Sequence, residues 1–190
     1  MKRFYIISFA VFGLTSLSGC APIIFGAGVS ATAMIAEDRR TSGAMLEDKT
    51  IEIKALNRIK DNLGEEITIR VYSFNRVVLL VGQAENSDAK TLAEDLAIEV
   101  ANVRDVQNEI EIAGQVTSIS KNNDKLLKAR VLGGFVKEQS IKASHYKIIA
   151  ESGIIYLMGL VSQEEGLASA QNAANTKGVK KVITVFEYLD

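Results

Sequence analysis

Val77-Val78-Leu79-Leu80-Val81-Gly82-Gln83 recurs further along the chain as Ile154-Ile155-Tyr156-Leu157-Met158-Gly159-Leu160. Each run is dominated by β-branched and bulky apolar residues and is far too short to span a bilayer, which is the pattern of a buried strand. The correspondence extends outward. Ile53-Lys54-Ala55 answers Leu127-Lys128-Ala129, and Val103-Arg104-Asp105-Val106 answers Val179-Lys180-Lys181-Val182, with a period of roughly 76 residues. A period this long means two copies of one small domain and not a solenoid.

Around the first run the periodicity predicts a helix from Glu47 to Asn62, with Ile51, Ala55, Leu56, Ile59 and Leu63 on one face. A strand over Ile67–Tyr72 then turns through Ser73-Phe74-Asn75-Arg76 into Val77–Gln83. Asn86-Ser87-Asp88 offers cap residues for a helix to about Val100, with Leu92, Leu96 and Val100 as its apolar face. Val106–Ile112 closes the unit as a strand. Strand, helix and strand form a crossover, and its handedness limits where the last strand can lie.

In the second copy a helix is expected from Asn123 to Lys137, strands at Lys147–Ala150 and Ile154–Leu160, a helix from Ser162 to Thr176 and a strand at Val182–Leu189. Ser162 with Glu165 three residues later is a capping box. The expected fold class is α+β: two tandem domains, each α-β-β-α-β, with helices on one face of a small three-stranded mixed sheet. The expected segments are a signal at 1–19, a tether at 20–46, domains at 47–113 and 123–190, and a linker at 114–122 that is polar and aperiodic. Glu37–Gly43, where charge appears abruptly, also reads as linker.

The first residues are not part of the fold. Lys2 and Arg3 precede an apolar stretch, Phe4–Leu17, and Leu17-Ser18-Gly19-Cys20 has the small-residue pattern that ends an export signal. That tetrad resembles a bacterial lipobox, which implies a diacylated Cys20 as the first mature residue. Ala21 in place of aspartate implies sorting to the outer membrane. A secreted protein cut near here and an uncleaved anchor are the alternatives. Cys20 is the only cysteine in the chain, so an intramolecular disulfide is excluded and lipidation is the stronger account of a lone exported thiol. Ala21–Ala36 carries no charge and reads as a flexible tether, a bilayer-surface segment or a segment packed on a partner.

With 22 basic and 23 acidic residues the chain is nearly neutral, and loss of Lys2 and Arg3 makes it more acidic. No nucleic acid partner is expected. Catalytic patterns are lacking too. His145 is the only histidine and is expected at the surface or a strand edge. Neither a transition-metal ligand set nor a phosphate-binding glycine loop can be assembled. No cofactor, no metal and no enzymatic activity are expected.

The two copies differ in their first helices. In the second, Leu127, Val131 and Phe135 make the stripe for the sheet, while Leu126, Ala129, Leu132 and Val136 make another on the opposite side. Lys121, Lys125, Lys128, Arg130, Lys137, Lys142 and Lys147 stand against only Asp124 and Glu138. The matching stretch of the first copy, Glu47–Glu66, is net acidic. An apolar stripe rimmed by cations suits anionic lipid head groups, although packing between the domains, or an ordinary surface, would also account for it. Gly133-Gly134 either ends the helix early or admits a close neighbour.

The repeated strand ending in glycine, the following helix, and Gly178-Val179-Lys180-Lys181-Val182 resemble the BON domain. The lipobox, Asp38-Arg39-Arg40-Thr41 and Tyr156-Leu157-Met158-Gly159-Leu160-Val161 are similar to the dual-BON outer-membrane lipoproteins. The resemblance implies a non-enzymatic envelope protein facing the periplasm, with anionic phospholipid bound through the first helix of the second domain. It also implies a role in envelope integrity and a link to the proteins that assemble outer-membrane β-barrels. Carried over, the lipid-contacting residues are Leu126, Ala129, Arg130, Gly133, Val136 and Lys137. Leu126 departs from an aromatic residue found there in relatives, which implies weaker insertion. The rival reading is a protein-interaction adaptor of an envelope complex, its domains packed together or onto that complex with the stripe covered by protein; burial of Leu126 and Val136 between the domains would favour it.

Overall fold

The computed structural model describes residues 38–64, 68–112 and 121–189. The expected signal, Cys20 and the uncharged stretch Ala21–Ala36 lie outside them. In the first domain helix α1 (Ser42–Leu63) is followed by β1 (Arg70–Phe74), β2 (Val77–Ala84), α2 (Ser87–Ile98) and β3 (Asp105–Ile112). The second has α3 (Lys121–Lys137), a 3₁₀ turn (Ala143–His145), β4 (Tyr146–Glu151), β5 (Ile154–Val161), α4 (Gln163–Ala174) and β6 (Lys181–Tyr188). The strand orders are β1-β2-β3 and β4-β5-β6. The hairpin pairs run antiparallel and the crossover pairs parallel, so both sheets are mixed, as the crossover reading requires.

Local chemistry explains most boundaries. Thr41 caps α1 through its hydroxyl, so the helix starts five residues before the expected Glu47. Asn86 caps α2, and Ser162 with Glu165 forms the full capping box of α4. Phe74 belongs to β1, and the hairpin turns at Asn75-Arg76, both at positive φ. That is the primed geometry suited to a two-residue turn. The expected linker ends sooner than 122, because α3 already begins at Lys121.

One face of each sheet carries its helices. In the first core Ile51, Ala55 and Ile59 of α1 meet Val78 and Leu80 of β2, with Leu56 and Leu63 packed partly against them. From α2 the buried residues are Ala93 and Ala97, while Leu92 is exposed and Leu96 only partly covered. Of the expected Leu92–Leu96–Val100 face, Val100 is buried in the core and Leu96 packs against it, while Leu92 is the correction: Ala93 and Ala97 take the buried positions and Leu92 turns outward. In the second core Leu127, Val131 and Phe135 pack on Ile155 and Leu157, and Phe135 meets the Tyr146 ring edge-on at 5.2 Å.

The other faces meet each other. Phe74, Leu79 and Val81 of the first sheet and Ile149, Tyr156 and Met158 of the second form a third buried cluster. This is why the two defining runs are continuously apolar instead of alternating: each strand is covered on both sides. The two domains form one compact unit.

Ion pairs fringe that contact. Arg70 pairs with Glu151, Lys147 with Glu52, and Arg104 with Glu187; Lys147 also donates to the Ser73 carbonyl at 2.9 Å. Burial pushes the Glu52 carboxyl up, but Lys147 and the Ser73 amide hold it below its usual value. Asp38–Arg40, expected to be linker, is fastened to both domains. Arg39 reaches both Glu165 carboxylate oxygens at 2.7 and 2.9 Å and the Leu160 carbonyl at 2.9 Å. Arg40 bonds Asp38 and Asp48 and stacks on the Phe74 ring, 3.9 Å from its centroid. The Arg39 hydrogen bonds are the main reason the Glu165 carboxyl falls to about 2.

Candidate functional site

Helix α3 is fixed by the packing of Leu127, Val131 and Phe135, and this packing sets what its far side displays. At 100° per residue the six candidate positions Leu126, Ala129, Arg130, Gly133, Val136 and Lys137 fall within a sector of about 120° opposite the buried stripe. Leu126 is 52 % exposed and Val136 72 %; Ala129, Arg130 and Lys137 are exposed and Gly133 half-buried. Leu132 is different, since it turns partly inward onto the second core. The domain contact lies on the opposite side of the sheet from this helix, so it leaves the face uncovered.

The glycine pair divides in function. The helix runs on through both residues to Lys137, so neither ends it. A Cβ on Gly134 would lie 2.5 Å from the Asn172 carboxamide oxygen, so this glycine lets α3 approach α4. A Cβ on Gly133 would meet nothing within 4 Å. Gly133→Ala should therefore raise stability by about 1 kcal/mol, the helix-propensity difference. In thermal or urea denaturation Gly134→Ala should give a smaller gain, because Asn172 must turn away.

The cations are not all on this face. Lys147 is committed to Glu52 and Ser73. Lys128 lines a separate cleft with Arg70 and Tyr72, where burial and then Lys147 push its ammonium below the usual value. Arg130 and Lys137 remain on the stripe. His145, expected near the surface, is 5 % exposed, with Nδ1 3.4 Å from a Glu165 oxygen; burial and then Arg39 push its imidazole down. His145 lies in a three-residue 3₁₀ turn, too short for a periodic pattern, and its charged neighbours Arg39 and Glu165 are distant in sequence, so its burial could not be read from adjacent residues.

Two aspartates have roles that the charge pattern does not reveal. Asp48 is buried and accepts from Ser73 Oγ, the Asn75 and Arg76 amides and Arg40. Asp124, its counterpart one period later, accepts from the Ser152 and Gly153 amides. Each pins the tip of its domain's hairpin to its first helix. The signal that could have found them is the repeat itself, which places an aspartate at the same offset in both copies. Among the described residues no group of three or more His, Cys, Asp or Glu side chains is arranged to hold a metal, and no helix is long and apolar enough to cross a membrane.

A profile of the BON domain matches residues 47–114 and again 123–190. The chain belongs to the BON-domain family. It carries two copies and is of the dual-BON, DolP-like type: it is 36 % identical over 176 residues to the outer membrane lipoprotein DolP of Haemophilus influenzae, covering 92 % of this chain and 91 % of that one. It is also 32 % identical over 154 residues to a 21 kDa hemolysin of Actinobacillus pleuropneumoniae, covering 80 % and 79 %. The candidate face belongs to the second BON domain. Asp48 and Asp124 set the two first helices 76 residues apart, so Ile51 and not Ile53 answers Leu127 in the cores, which corrects the expected pairing of Ile53-Lys54-Ala55 with Leu127-Lys128-Ala129. The counterpart of the face on the first domain is then Thr50, Ile53, Lys54, Asn57, Lys60 and Asp61. The twin domain has kept this face mostly polar, so the apolar character is confined to one copy.

Proposed function

We propose that the protein is a lipid-anchored envelope component, acylated at Cys20 and held on the outer membrane facing the periplasm. Its second BON domain lays the α3 face on anionic phospholipid and supports envelope integrity. The likeness to an outer membrane lipoprotein over nine-tenths of both chains supports the localisation. The observation that carries the lipid reading is the exposure of Leu126 and Val136 on a helix whose own fold and partner domain leave that side uncovered. Burial of both between the domains would have favoured the adaptor reading, and neither is buried there. Arg130 and Lys137 beside them supply the charge that draws such a face to an acidic bilayer surface.

The test is binding of the mature chain, with Cys20 replaced by serine, to vesicles. Binding should rise with phosphatidylglycerol content and weaken with salt. Leu126→Asp combined with Val136→Asp should abolish it while leaving the thermal transition in place, since both side chains already face water. Equal binding to neutral vesicles, or retention by the double variant, would count against the proposal and return the face to a protein partner, with the β-barrel assembly proteins as the first to try.

A further inference from the structure

A cleft of about 450 Å³ opens beside the α3 face, lined among others by Asn123, Leu126, Arg130, Gly153, Gly178 and Lys180. Its volume is within the range of small-molecule pockets, about 300–1,000 Å³. In the first domain the same place is bridged by a side-chain hydrogen bond. The equivalence of the two copies here is secured by backbone detail: Asn102 and Gly178 share a positive φ, and the Arg104 and Lys180 amides bond the Arg76 and Gly153 carbonyls, each at 2.9 Å. In the first copy Asn102 donates to Glu47 at 2.8 Å, tying the helix to the loop. Arg104 is drawn away to Glu187. In the second copy Asn123 replaces Glu47, Gly178 replaces Asn102 and Gly153 replaces Arg76. An acid, an amide and a guanidinium are thus exchanged for smaller uncharged residues, and the strap across the mouth is gone.

Among the described residues that line the opening, two are cations. Lys180 is exposed and spends one donor on the Ser152 carbonyl at 3.1 Å; an ammonium has two more. Arg130 makes one long bond, 3.4 Å, to the Lys177 carbonyl. Asp124 also lines the cleft, but both of its oxygens are turned into the hairpin tip by the Ser152 and Gly153 amides. Leu126 stands on the rim, where it belongs both to the cleft and to the apolar stripe.

We infer that this cleft seats the phosphate of an anionic glycerophospholipid head group between Arg130 and Lys180, while the lipid's apolar part follows Leu126 onto the stripe. The inference rests on the lipid reading of α3 and adds to it a second element, the α4–β6 loop carrying Gly178 and Lys180. Lys180 then sets head-group preference, whereas Leu126 and Val136 set membrane affinity in general.

The experiment uses the mature chain with Cys20→Ser, titrated with short-chain phosphatidylglycerol below its micelle concentration, with phosphatidylcholine of equal length, and with glycerol 3-phosphate. The Gly153 and Gly178 amide signals should move with phosphatidylglycerol only. Lys180→Gln should weaken vesicle binding about fivefold and erase the preference for phosphatidylglycerol, while Lys180→Arg retains it. The neighbouring Lys181→Gln controls for bulk charge and should cost less than twofold. Equal losses for Lys180→Gln and Lys181→Gln, or unmoved glycine amides, would overturn the seat while the α3 reading stands. Equal shifts with glycerol 3-phosphate alone would replace the lipid with a free phosphate ester. A wild-type chain that ignores acidic vesicles would remove both proposals.

Discussion

Asp48→Ala is expected to destabilise the protein by about 3–5 kcal/mol, the range for removing one member of a buried charged pair. The carboxylate is 3 % exposed and serves four donors at once: Arg40, the Ser73 hydroxyl, and the Asn75 and Arg76 amides. Removal leaves the Arg40 guanidinium stacked on Phe74 with Asp38 as its remaining acid. It also leaves two amides at the tip of a left-handed turn with no acceptor. Asp124→Ala supplies the comparison. Among the described residues that side chain serves the two turn amides and no cation, so its loss should cost about 1–3 kcal/mol. Urea denaturation monitored by circular dichroism measures both. Equal costs would mean that the Arg40 contact adds nothing to the hairpin anchor.

The difference between these aspartates also separates what could be read from the sequence from what could not. Spacing alone located the repeat, the element order and the α3 stripe, because each is a local periodicity that the backbone geometry converts into a face. The capping box at Ser162 and Glu165 was legible for the same reason. Asp38–Arg40 was taken for linker because its meaning is entirely long-range: Glu165 lies over a hundred residues away, and no pattern around Arg39 signals it. The cover on the second face of each sheet carried a sign in the sequence. Val78-Leu79-Leu80-Val81 does not alternate, and a strand without alternation needs cover on both sides. Leu79 and Val81 find that cover in Ile149, Tyr156 and Met158 of the second sheet.

The candidate face was legible in a stricter sense, since it could be named only by what the fold would fail to cover. A stripe opposite a core stripe is visible in a helical projection, but its exposure depends on where the partner domain docks. Here docking uses the sheet backs, so α3 stays free. The cleft at Arg130 and Lys180 was not legible, because its floor joins a helix, a hairpin tip and a loop that no single window of sequence brings together. It emerges only when Glu47 and Asn102 are compared with Asn123 and Gly178 in three dimensions.

Gly82→Ala is expected to cost about 4 kcal/mol. Gly82 stands inside β2, opposite Ile110 of β3, with φ at +116°; for an alanine such a backbone is strained by about 1–3 kcal/mol. Space adds to the strain. The new Cβ would lie 2.3 Å from the Thr68 carbonyl oxygen and 3.1 Å from the Ile69 Cα, and these are backbone atoms that cannot turn aside as a side-chain end could. Moving them disturbs Ile69, a member of the first core, at about 1–3 kcal/mol more. Gly159, the counterpart in β5, lacks the positive φ, and its Cβ would meet the His145 carbonyl oxygen at 3.0 Å, so Gly159→Ala should be the milder change. A loss of about 4 kcal/mol is a large share of the roughly 5–15 kcal/mol that holds an ordinary protein folded. It would not stay in the first domain. Unfolding that domain removes Phe74, Leu79 and Val81 from the shared cluster and exposes Ile149, Tyr156 and Met158 to water. Denaturation of Gly82→Ala should therefore remain a single transition at a lower midpoint, with probes in both domains moving together. Two separated transitions would show that the stacked sheets contribute little, and that the second domain keeps its α3 face in place without help from the first.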